Sequence, residues 1–249
     1  MNAQTIMICS GKGGTGKSTV SVLLSAQLAA LGKKVLLIEL DSGLRSVDII
    51  AGVYGKTVYD IEDILCGRCE GEKAIVQSPL YPGLSVISAP YEGGEVRAEP
   101  LARLVTTMHG YFDFIVFDTA AGMGAPFVAA ARLCQRSFLV LTPDPVALRD
   151  GRIVADWLIH HGHESATLRL VVNRAGAASF GPKAPVFDLD ECIDTVGLQL
   201  IAMIPESAEL RQAAATGAAL PAGCAAAAAG TAFAKRVLGE RVPLTITRF

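Results

Sequence analysis

The sequence predicts an α/β fold: one doubly wound, mostly parallel sheet of about seven strands with helices on both faces. Three observations lead to this prediction. Short apolar runs alternate along the 249 residues with stretches of helical periodicity. Several runs are continuously apolar, as expected for strands that are buried on both faces. A glycine-rich loop joins the first apolar run to the first helical pattern, and such loops are typical of this class of sheet.

The elements follow one another in a regular order, and no change in composition marks a second domain. We therefore expect a single domain over residues 1–249. The predicted strands are Thr5 to Cys9, Lys34 to Leu40, Leu84 to Ala89, Phe112 to Asp118, Ser137 to Thr142, Leu168 to Asn173 and Leu198 to Ile204. After the first helix, the predicted helices are Val58 to Leu65, Pro100 to His109, Pro126 to Cys134, Pro145 to His161, about Ser207 to Thr216 and about Ala222 to Leu238. The stretch from Asp41 to Asp48 is predicted to be a loop or short turn.

Composition narrows the class of protein. The chain is 51% hydrophobic and 18% charged, which allows a sizeable core, and its net charge of −2 does not indicate nucleic-acid binding. No apolar run approaches the roughly 20 residues that span a bilayer, and the start of the sequence runs directly into a strand without a signal peptide. Six scattered cysteines favour reduced thiols over a disulfide framework. We expect a cytoplasmic protein.

The loop from Ser10 to Thr19 carries the clearest chemistry. Residues 11–18 fit the pattern G-x-x-x-x-G-K-[ST], between a strand and a helix. Glycines let the backbone approach an anion and turn its N–H groups inward, and the helix start adds a partial positive charge. Lys17 can reach the β- and γ-phosphates of a nucleotide, and the Ser18 hydroxyl can ligate Mg²⁺. The sequence therefore predicts a phosphate-binding loop.

Three acidic residues lie where predicted strands end, at the edge of the sheet where ligands bind. Asp118 ends the strand FDFIVFD and is placed to hold Mg²⁺. Glu39 and Asp41 come at the end of the strand VLLIEL. Nucleotide hydrolysis needs a group that positions the attacking water, and Asp41 is the candidate for that role.

Lys12 is a second lysine in the loop, five positions before Lys17. A loop wrapped around a triphosphate directs position 12 towards solvent, where a charge is idle in a single chain unless another group faces it. The run K-G-G-T-G-K-S-T resembles the deviant Walker A box of the MinD/ParA family of ATPases. In that family the early lysine reaches across a dimer interface to the partner's nucleotide, so the resemblance implies that Lys12 is catalytic in trans.

Other segments extend the resemblance over residues 5 to about 248. Residues 39–48 (ELDSGLRSVD) are similar to the switch I segment of the MinD-like branch, and residues 118–122 (DTAAG) stand where its switch II lies. Residues 146–150 (VALRD) resemble the start of its partner-binding helix, and residues 200–211 (LIAMIPESAELR) resemble its I-P-E-D segment. Three departures are Glu39 for an aspartate, Ala120 for a proline, and an end, residues 241–249, that is too short and too interrupted by Pro243 to be a membrane-binding amphipathic helix.

The resemblance implies a role for each matching residue. Asp41 would orient the hydrolytic water, and with Ser18 and Asp118 it would form the metal site. The backbone N–H of Gly122 would sense the γ-phosphate. Asn173 would face adenine, with Pro205 and Glu206 on the other side of the base. The phosphates would be bound by Gly11, Lys12, Gly13, Gly14, Thr15, Gly16, Lys17, Ser18 and Thr19.

The function implied is an ATPase with ATP and Mg²⁺ as ligands, which forms a homodimer with ATP and regulates placement of the division septum through a partner of the MinC or MinE type. Membrane attachment and DNA binding are not expected. Two alternatives remain open. One is a ParA-like partition or polar-positioning ATPase that binds DNA non-specifically. The other is an Mrp-type iron–sulfur carrier or reductase that uses the C-x-x-C pair Cys66 and Cys69.

Overall fold

A computed structural model describes residues 2–43, 45–92, 96–176 and 178–244. The eight strands assigned there form one sheet, in the order β3-β4-β2-β5-β1-β6-β7-β8. The strands are β1 Gln4–Cys9, β2 Val35–Glu39, β3 Val76–Gln77, β4 Leu84–Ile87, β5 Phe114–Asp118, β6 Arg136–Leu141, β7 Leu168–Ala175 and β8 Leu200–Pro205. All neighbouring pairs are parallel except β3 with β4. The predicted doubly wound, mostly parallel sheet is confirmed.

Helices connect the strands. They are α1 Lys17–Ala30, α2 Ser46–Ile50, α3 Ile61–Leu65, α4 Gly71–Ala74, α5 Ala98–Met108, α6 Ala125–Ala131, α7 Pro145–His160, α8 Leu189–Val196, α9 Ala208–Thr216 and α10 Ala225–Val237. A single 3-10 turn, Ser165–Thr167, precedes β7. Among the described residues, no helix is both long enough and apolar enough to cross a membrane.

The sheet is buried on both faces, which explains the continuous apolar runs. Along β1, Met7 packs into one core layer while Ile6 packs into the other. Helices α5 to α8 cover the first layer, and α1 and α10 cover the second. In the second layer the rings of Phe138 on β6 and Phe233 on α10 have centroids 5.4 Å apart. Successive side chains of each strand point to opposite faces of the sheet, and both faces are covered by apolar side chains. Apolar residues are therefore favoured at every position of these strands.

The number of strands differs from the prediction of about seven. The additional strand, β3, has two residues, Val76 and Gln77, which pair antiparallel with Val86 and Ser85. Val76 is only half-buried and Gln77 is exposed. Because two residues at a sheet edge show no measurable alternation, the sequence pattern does not reveal this strand.

Two predicted segments differ in their boundaries. The stretch 41–48 was expected to be a loop, but α2 begins within it at Ser46. The helix expected from Val58 begins only at Ile61, because Asp60 forms a capping box with Asp63 and so fixes the helix start. Helices α4 and α8 were not predicted. Leu44 of the switch I segment and residues 245–249 of the terminal segment lie outside the described residues.

Strand order places the glycine-rich loop. Strand β1 lies between β5 and β6, with β2 and β4 on one side and β7 and β8 on the other. The direction in which the chain adds strands therefore reverses next to β1. In open α/β sheets a ligand crevice forms at such a reversal, outside the carboxyl ends of the strands. The loop after β1 opens directly into that crevice.

Candidate functional site

The glycine-rich loop has the backbone that only glycine accommodates well. Gly14 and Gly16 have φ values of 78° and 87°, in the left-handed region that side chains disfavour. A Cβ on Gly16 would also lie 2.3 Å from Nδ2 of Asn173. Gly16 is the N-cap residue of α1, and no described side chain caps that helix end. The first N–H groups of α1 are therefore available to a phosphate.

Lys17 and Asp118 form the buried centre of the site. Lys17 is 7% exposed and Asp118 is 0% exposed. The hydroxyls of Ser18 and Ser21 donate to the two carboxylate oxygens of Asp118, each at 2.7 Å. Burial raises the pKa of Asp118, while the Lys17 charge and the two serine hydrogen bonds counteract part of that rise. A hydroxyl and a carboxylate in contact at the end of β5 supply the oxygen ligands that Mg²⁺ prefers, so these residues fit the predicted metal site.

Asp41 lies at the mouth of the same site. Its Oδ2 is 3.9 Å from Nζ of Lys17, and its side chain is 41% exposed. Partial burial raises the pKa of Asp41, and the neighbouring Lys17 lowers it. A carboxylate at the mouth, within reach of the lysine that would bind the phosphates, is placed to accept a hydrogen bond from water. Its water-positioning role remains a prediction.

Glu39 does not line the cavity and instead has a structural role. It is 1% exposed and accepts hydrogen bonds from the backbone N–H of Val47, at 3.1 Å, and of Ala89, at 3.4 Å. Burial raises the pKa of Glu39 to about 8; the Val47 bond lowers it, and the nearby charges of Asp118 and Asp48 raise it further. Glu39 therefore fastens the start of α2 to the end of β4.

The prediction for Lys12 needs one correction. Its side chain is 40% exposed and does not line the cavity, as expected, but it is not idle in the single chain. Nζ of Lys12 donates to Oδ1 of Asp144 at 3.1 Å. Asp144 is the N-cap residue of α7, whose oxygen also accepts from the N–H of Ala147. The two residues are 132 positions apart, so no local pattern could have predicted the pair.

Gly122 also has a partner within the chain. Its N–H donates to the carbonyl of Ser10 at 3.0 Å, and its φ is 84°. Sensing of a γ-phosphate by this N–H would require that bond to break, and the role stays a prediction. Gly11 packs against another element, since a Cβ there would come within 2.4 Å of the carbonyl oxygen of Asp150 on α7.

A cavity of 520 Å³ runs from the phosphate-binding loop to the ends of β7 and β8. Asn173 is 3% exposed, and its Nδ2 donates to the carbonyl of Thr15 at 2.8 Å. Of the predicted site residues, the cavity is lined by Gly14, Gly16, Lys17, Ser18, Thr19, Asp41, Asn173, Pro205 and Glu206. The predicted residues outside its lining are Gly11, Lys12, Gly13, Thr15, Asp118 and Gly122.

Sequence reasoning missed the wall formed by α9. Ser207, Leu210, Arg211 and Ala214 line the cavity. They recur at helical spacing, so the periodicity of α9 was a signal that could have identified the wall once the position of Pro205 was known. Further lining residues outside the prediction are Ser46, Ile49, Ile50, Arg174 and Ala215.

Among the described residues, the C-x-x-C pair is not part of a cluster of three or more metal-ligating side chains. Cys66 is exposed and Cys69 is half-buried. Within the ranges that the structure describes, no three His, Cys, Asp or Glu side chains are grouped so that they could hold a metal ion. No structural feature in those ranges favours the iron–sulfur alternative.

Together, a strand, a glycine-rich loop, the helix it opens and a buried strand-end aspartate define a P-loop nucleotide-binding protein. The model of the CobQ/CobB/MinD/ParA nucleotide-binding domain matches residues 6–220. The chain belongs to this family.

Three comparisons describe its relatives. It is 30% identical to septum site-determining protein MinD of Bacillus subtilis over 98% of this chain and 92% of that protein. A chain of the MinC:MinD cell division protein complex of Aquifex aeolicus superposes with a TM-score of 0.89 at 31% identity, covering 98% of this chain and 99% of that one. MinD of Pyrococcus horikoshii, complexed with Mg-ADP, has the same fold, with a TM-score of 0.82 at 24% identity over 96% of this chain and 100% of that one. The resemblance inferred from the motifs is confirmed, and the septum-placement interpretation is favoured over the two alternatives.

Proposed function

We propose that this protein is an ATP- and Mg²⁺-dependent switch that dimerises with ATP, hydrolyses it to ADP and phosphate, and regulates placement of the division septum through a partner protein. The main support for this proposal is that Lys17, Ser18 and Asp41 lie together at one end of a nucleotide-sized cavity. The septum role is supported by relatives of nearly the same length that are septum site-determining proteins.

The side chains divide the chemistry between them. Lys17 exchanges its ion pair with Asp41 for the β- and γ-phosphates, which frees the Asp41 carboxylate to hold the attacking water. The Ser18 hydroxyl would ligate Mg²⁺, and Asp118 orients that hydroxyl by accepting its hydrogen bond. Bound Mg²⁺ would neutralise charge on the phosphates. Asn173 holds the loop at Thr15 while the base lies beyond it.

Dimerisation would use Lys12. In the single chain its ammonium faces one carboxylate, that of Asp144, and both side chains are partly exposed. A triphosphate carries more negative charge than one carboxylate, so the partner's nucleotide would compete for Lys12 when two subunits meet face to face. Hydrolysis would remove the γ-phosphate and return Lys12 to Asp144. The nucleotide can drive this cycle only by its difference in affinity for the two states.

The experiment is gel filtration of the wild type, Lys12→Ala and Lys34→Ala with ATP, with ADP and without nucleotide. Lys34 is an exposed lysine at the opposite end of the sheet, just before β2, and serves as the matched control. We expect ATP-dependent dimers for the wild type and Lys34→Ala. Lys12→Ala should stay monomeric while its affinity for ATP stays within about threefold of the wild type. Intact ATP-dependent dimers of Lys12→Ala would contradict the trans role.

The partner would be of the MinC or MinE type, as the MinC:MinD complex of Aquifex aeolicus suggests. Helix α7 is the candidate contact, since Asp144 at its N-cap pairs with Lys12 and Gly11 packs on its backbone. The six free cysteines favour a reducing compartment, and we propose a cytoplasmic location. Retention of the ATP-loaded protein on random DNA, lost as salt rises, would instead support the partition alternative.

A further inference from the structure

The far end of the cavity carries an ion pair between Glu206, which the resemblance had placed beside the base, and Arg211, to which no role had been assigned. Glu206 follows β8 directly, and Arg211 lies in the second turn of α9. Nη2 of Arg211 donates to Oε1 of Glu206, and both residues line the cavity. Their side chains are 41% and 69% exposed for Glu206 and Arg211 respectively. The pair therefore forms a rim over this end of the cavity.

The backbone beneath the pair is held firmly. The N–H of Glu206 donates to the carbonyl of Ala175 at 2.9 Å, which ties the end of β8 to the end of β7. Ser207 caps α9 by accepting from the N–H of Leu210 at 3.1 Å. Its hydroxyl also donates to Glu209 at 2.7 Å, so Glu209 is engaged away from Arg211. Arg211 thus stands on a fixed helix start and faces a fixed Glu206.

The position of the pair assigns it to the nucleoside end of the ligand. Strand β8 is three places from β1 in the sheet. Neighbouring strands are about 4.8 Å apart, so the ends of β1 and β8 are separated by roughly 14 Å. Phosphates bound by the loop after β1 would therefore lie towards the other end of the cavity from Arg211. A base that extends from those phosphates past Asn173 would end beside the pair.

Arg211 changes the chemistry of this rim in two ways. A lone Glu206 carboxylate would repel a polyanionic nucleotide, and the guanidinium neutralises it. The guanidinium is also planar and weakly hydrated, so its face can stack on an aromatic ring. We propose that Arg211 is a positioning residue for the nucleobase, which holds Glu206 in place and covers the base, and so sets affinity for the nucleoside half of the ligand. This inference rests on the proposed ATP-binding function.

The test distinguishes the contribution of the nucleobase to binding from that of the phosphates. Affinities for ATP, ADP and inorganic tripolyphosphate are measured for the wild type, Arg211→Ala, Arg211→Lys and Arg103→Ala. Arg103 is a matched control, since it is exposed and pairs with Glu99 on α5, and neither residue lines the nucleotide cavity. We expect Arg211→Ala to weaken ATP and ADP binding by similar factors of about two- to fivefold, the scale of an exposed cation–π contact. Tripolyphosphate affinity should fall less than ATP affinity, because only the repulsion by the unpaired Glu206 carboxylate acts on it. The kcat at saturating ATP should not change.

The conservative variant and a double-mutant cycle identify the mechanism. Arg211→Lys keeps the positive charge but lacks the planar guanidinium group, so its affinity for ATP should lie between those of the wild type and Arg211→Ala. Adding Glu206→Ala to Arg211→Ala should restore part of the lost affinity, because the unpaired carboxylate is then gone.

Three results would overturn the inference. They are wild-type ATP affinity in Arg211→Ala, an equal loss of ATP and tripolyphosphate affinity, and a lowered kcat at saturation. Lys17→Ala separates the two proposals. If Lys17→Ala abolishes ATP binding while Arg211→Ala has no effect, only the role of Arg211 fails. If the wild type binds no ATP, both proposals fail.

Discussion

The two ends of the nucleotide cavity are built differently. At the phosphate end, Lys17 is 7% exposed and Asp118 is 0% exposed, with two serine hydroxyls on the carboxylate. At the base end, Glu206 and Arg211 form a pair that is largely open to water. Water competes for exposed charges and weakens their pairing, whereas buried charge-assisted hydrogen bonds hold their geometry. The phosphate end is therefore the rigid half of the site. The base end is the adjustable half, because its two exposed side chains can move on a backbone that is itself fixed.

Position in the sheet accounts for the difference. The phosphate end rests on β1 and β5, which have a neighbouring strand on each side. The base end rests on β7 and on β8, the edge strand, and their pairing shifts register between Leu170 and Val171 and again between Val172 and Ala175. Irregular strand pairing at the edge of a sheet changes the direction of side chains and makes the backbone hydrogen-bond pattern less regular. The side chains of the adjustable half are therefore carried by the less regular part of the sheet.

The largest expected effect is at the rigid half. Lys17→Ala should weaken ATP binding by more than about 100-fold, because each charge-assisted hydrogen bond contributes about 1.5–3 kcal/mol and Lys17 would make several. Calorimetric titration with ATP measures the effect, with Lys34→Ala as the control that retains binding. If Lys17→Ala lost no more ATP affinity than Arg211→Ala, the two ends of the cavity would contribute equally to ATP binding. The contrast between a rigid and an adjustable half would then be wrong.

A second prediction concerns the buried carboxyl that fastens α2 behind the phosphate end. The pKa of Glu39 is raised to about 8 in the folded state, against an ordinary value of about 4.3. Between these values the folded chain keeps a proton that the unfolded chain has lost, so stability falls as pH rises. The free energy of unfolding should fall from pH 5 to 8 by on the order of 1 kcal/mol per pH unit more in the wild type than in Glu39→Gln.

Urea denaturation of the nucleotide-free protein at pH 5.5, 7 and 8.5 measures this slope. Glu206→Gln makes the same substitution at the exposed rim and should follow the wild-type curve. Parallel curves for the wild type and Glu39→Gln over this range would mean that Glu39 is ionised when folded. The rigid half would then contain a buried carboxylate charge instead of a neutral carboxyl group.

The smallest of these three effects is expected at Asn173, the residue between the two halves. Asn173→Ala removes the donor to the Thr15 carbonyl and should weaken ATP binding about three- to tenfold, as loss of one buried hydrogen bond costs about 1 kcal/mol. Because Thr15 belongs to the phosphate-binding loop, tripolyphosphate binding should weaken by a similar factor, unlike in Arg211→Ala. If only ATP and ADP binding weakened, Asn173 would belong to the adjustable half. Competition titrations with both ligands distinguish these outcomes.

Much of the rigid half was predictable because its chemistry is local. Lys17 and Ser18 lie in one loop between one strand and one helix, and glycine spacing there reflects backbone conformation directly. Asp118 was identified because a polar residue ends a continuous apolar strand. The remaining roles were harder to assign. Glu39 was grouped with Asp41 as a strand-end carboxylate, but Glu39 still belongs to β2 and its side chain is buried on the N–H of Val47, whereas Asp41 lies after the strand.

The sequence by itself determined the doubly wound sheet, the phosphate-binding loop and the family, since periodicity and short motifs depend on neighbours within one element. Only the tertiary structure decided which distant groups meet: Lys12 with Asp144, the loop at Thr15 with Asn173, and the wall of α9 with its Arg211. The order in which strands assemble brings these groups together. A side-chain contact across more than 100 residues leaves no periodic trace in a single sequence.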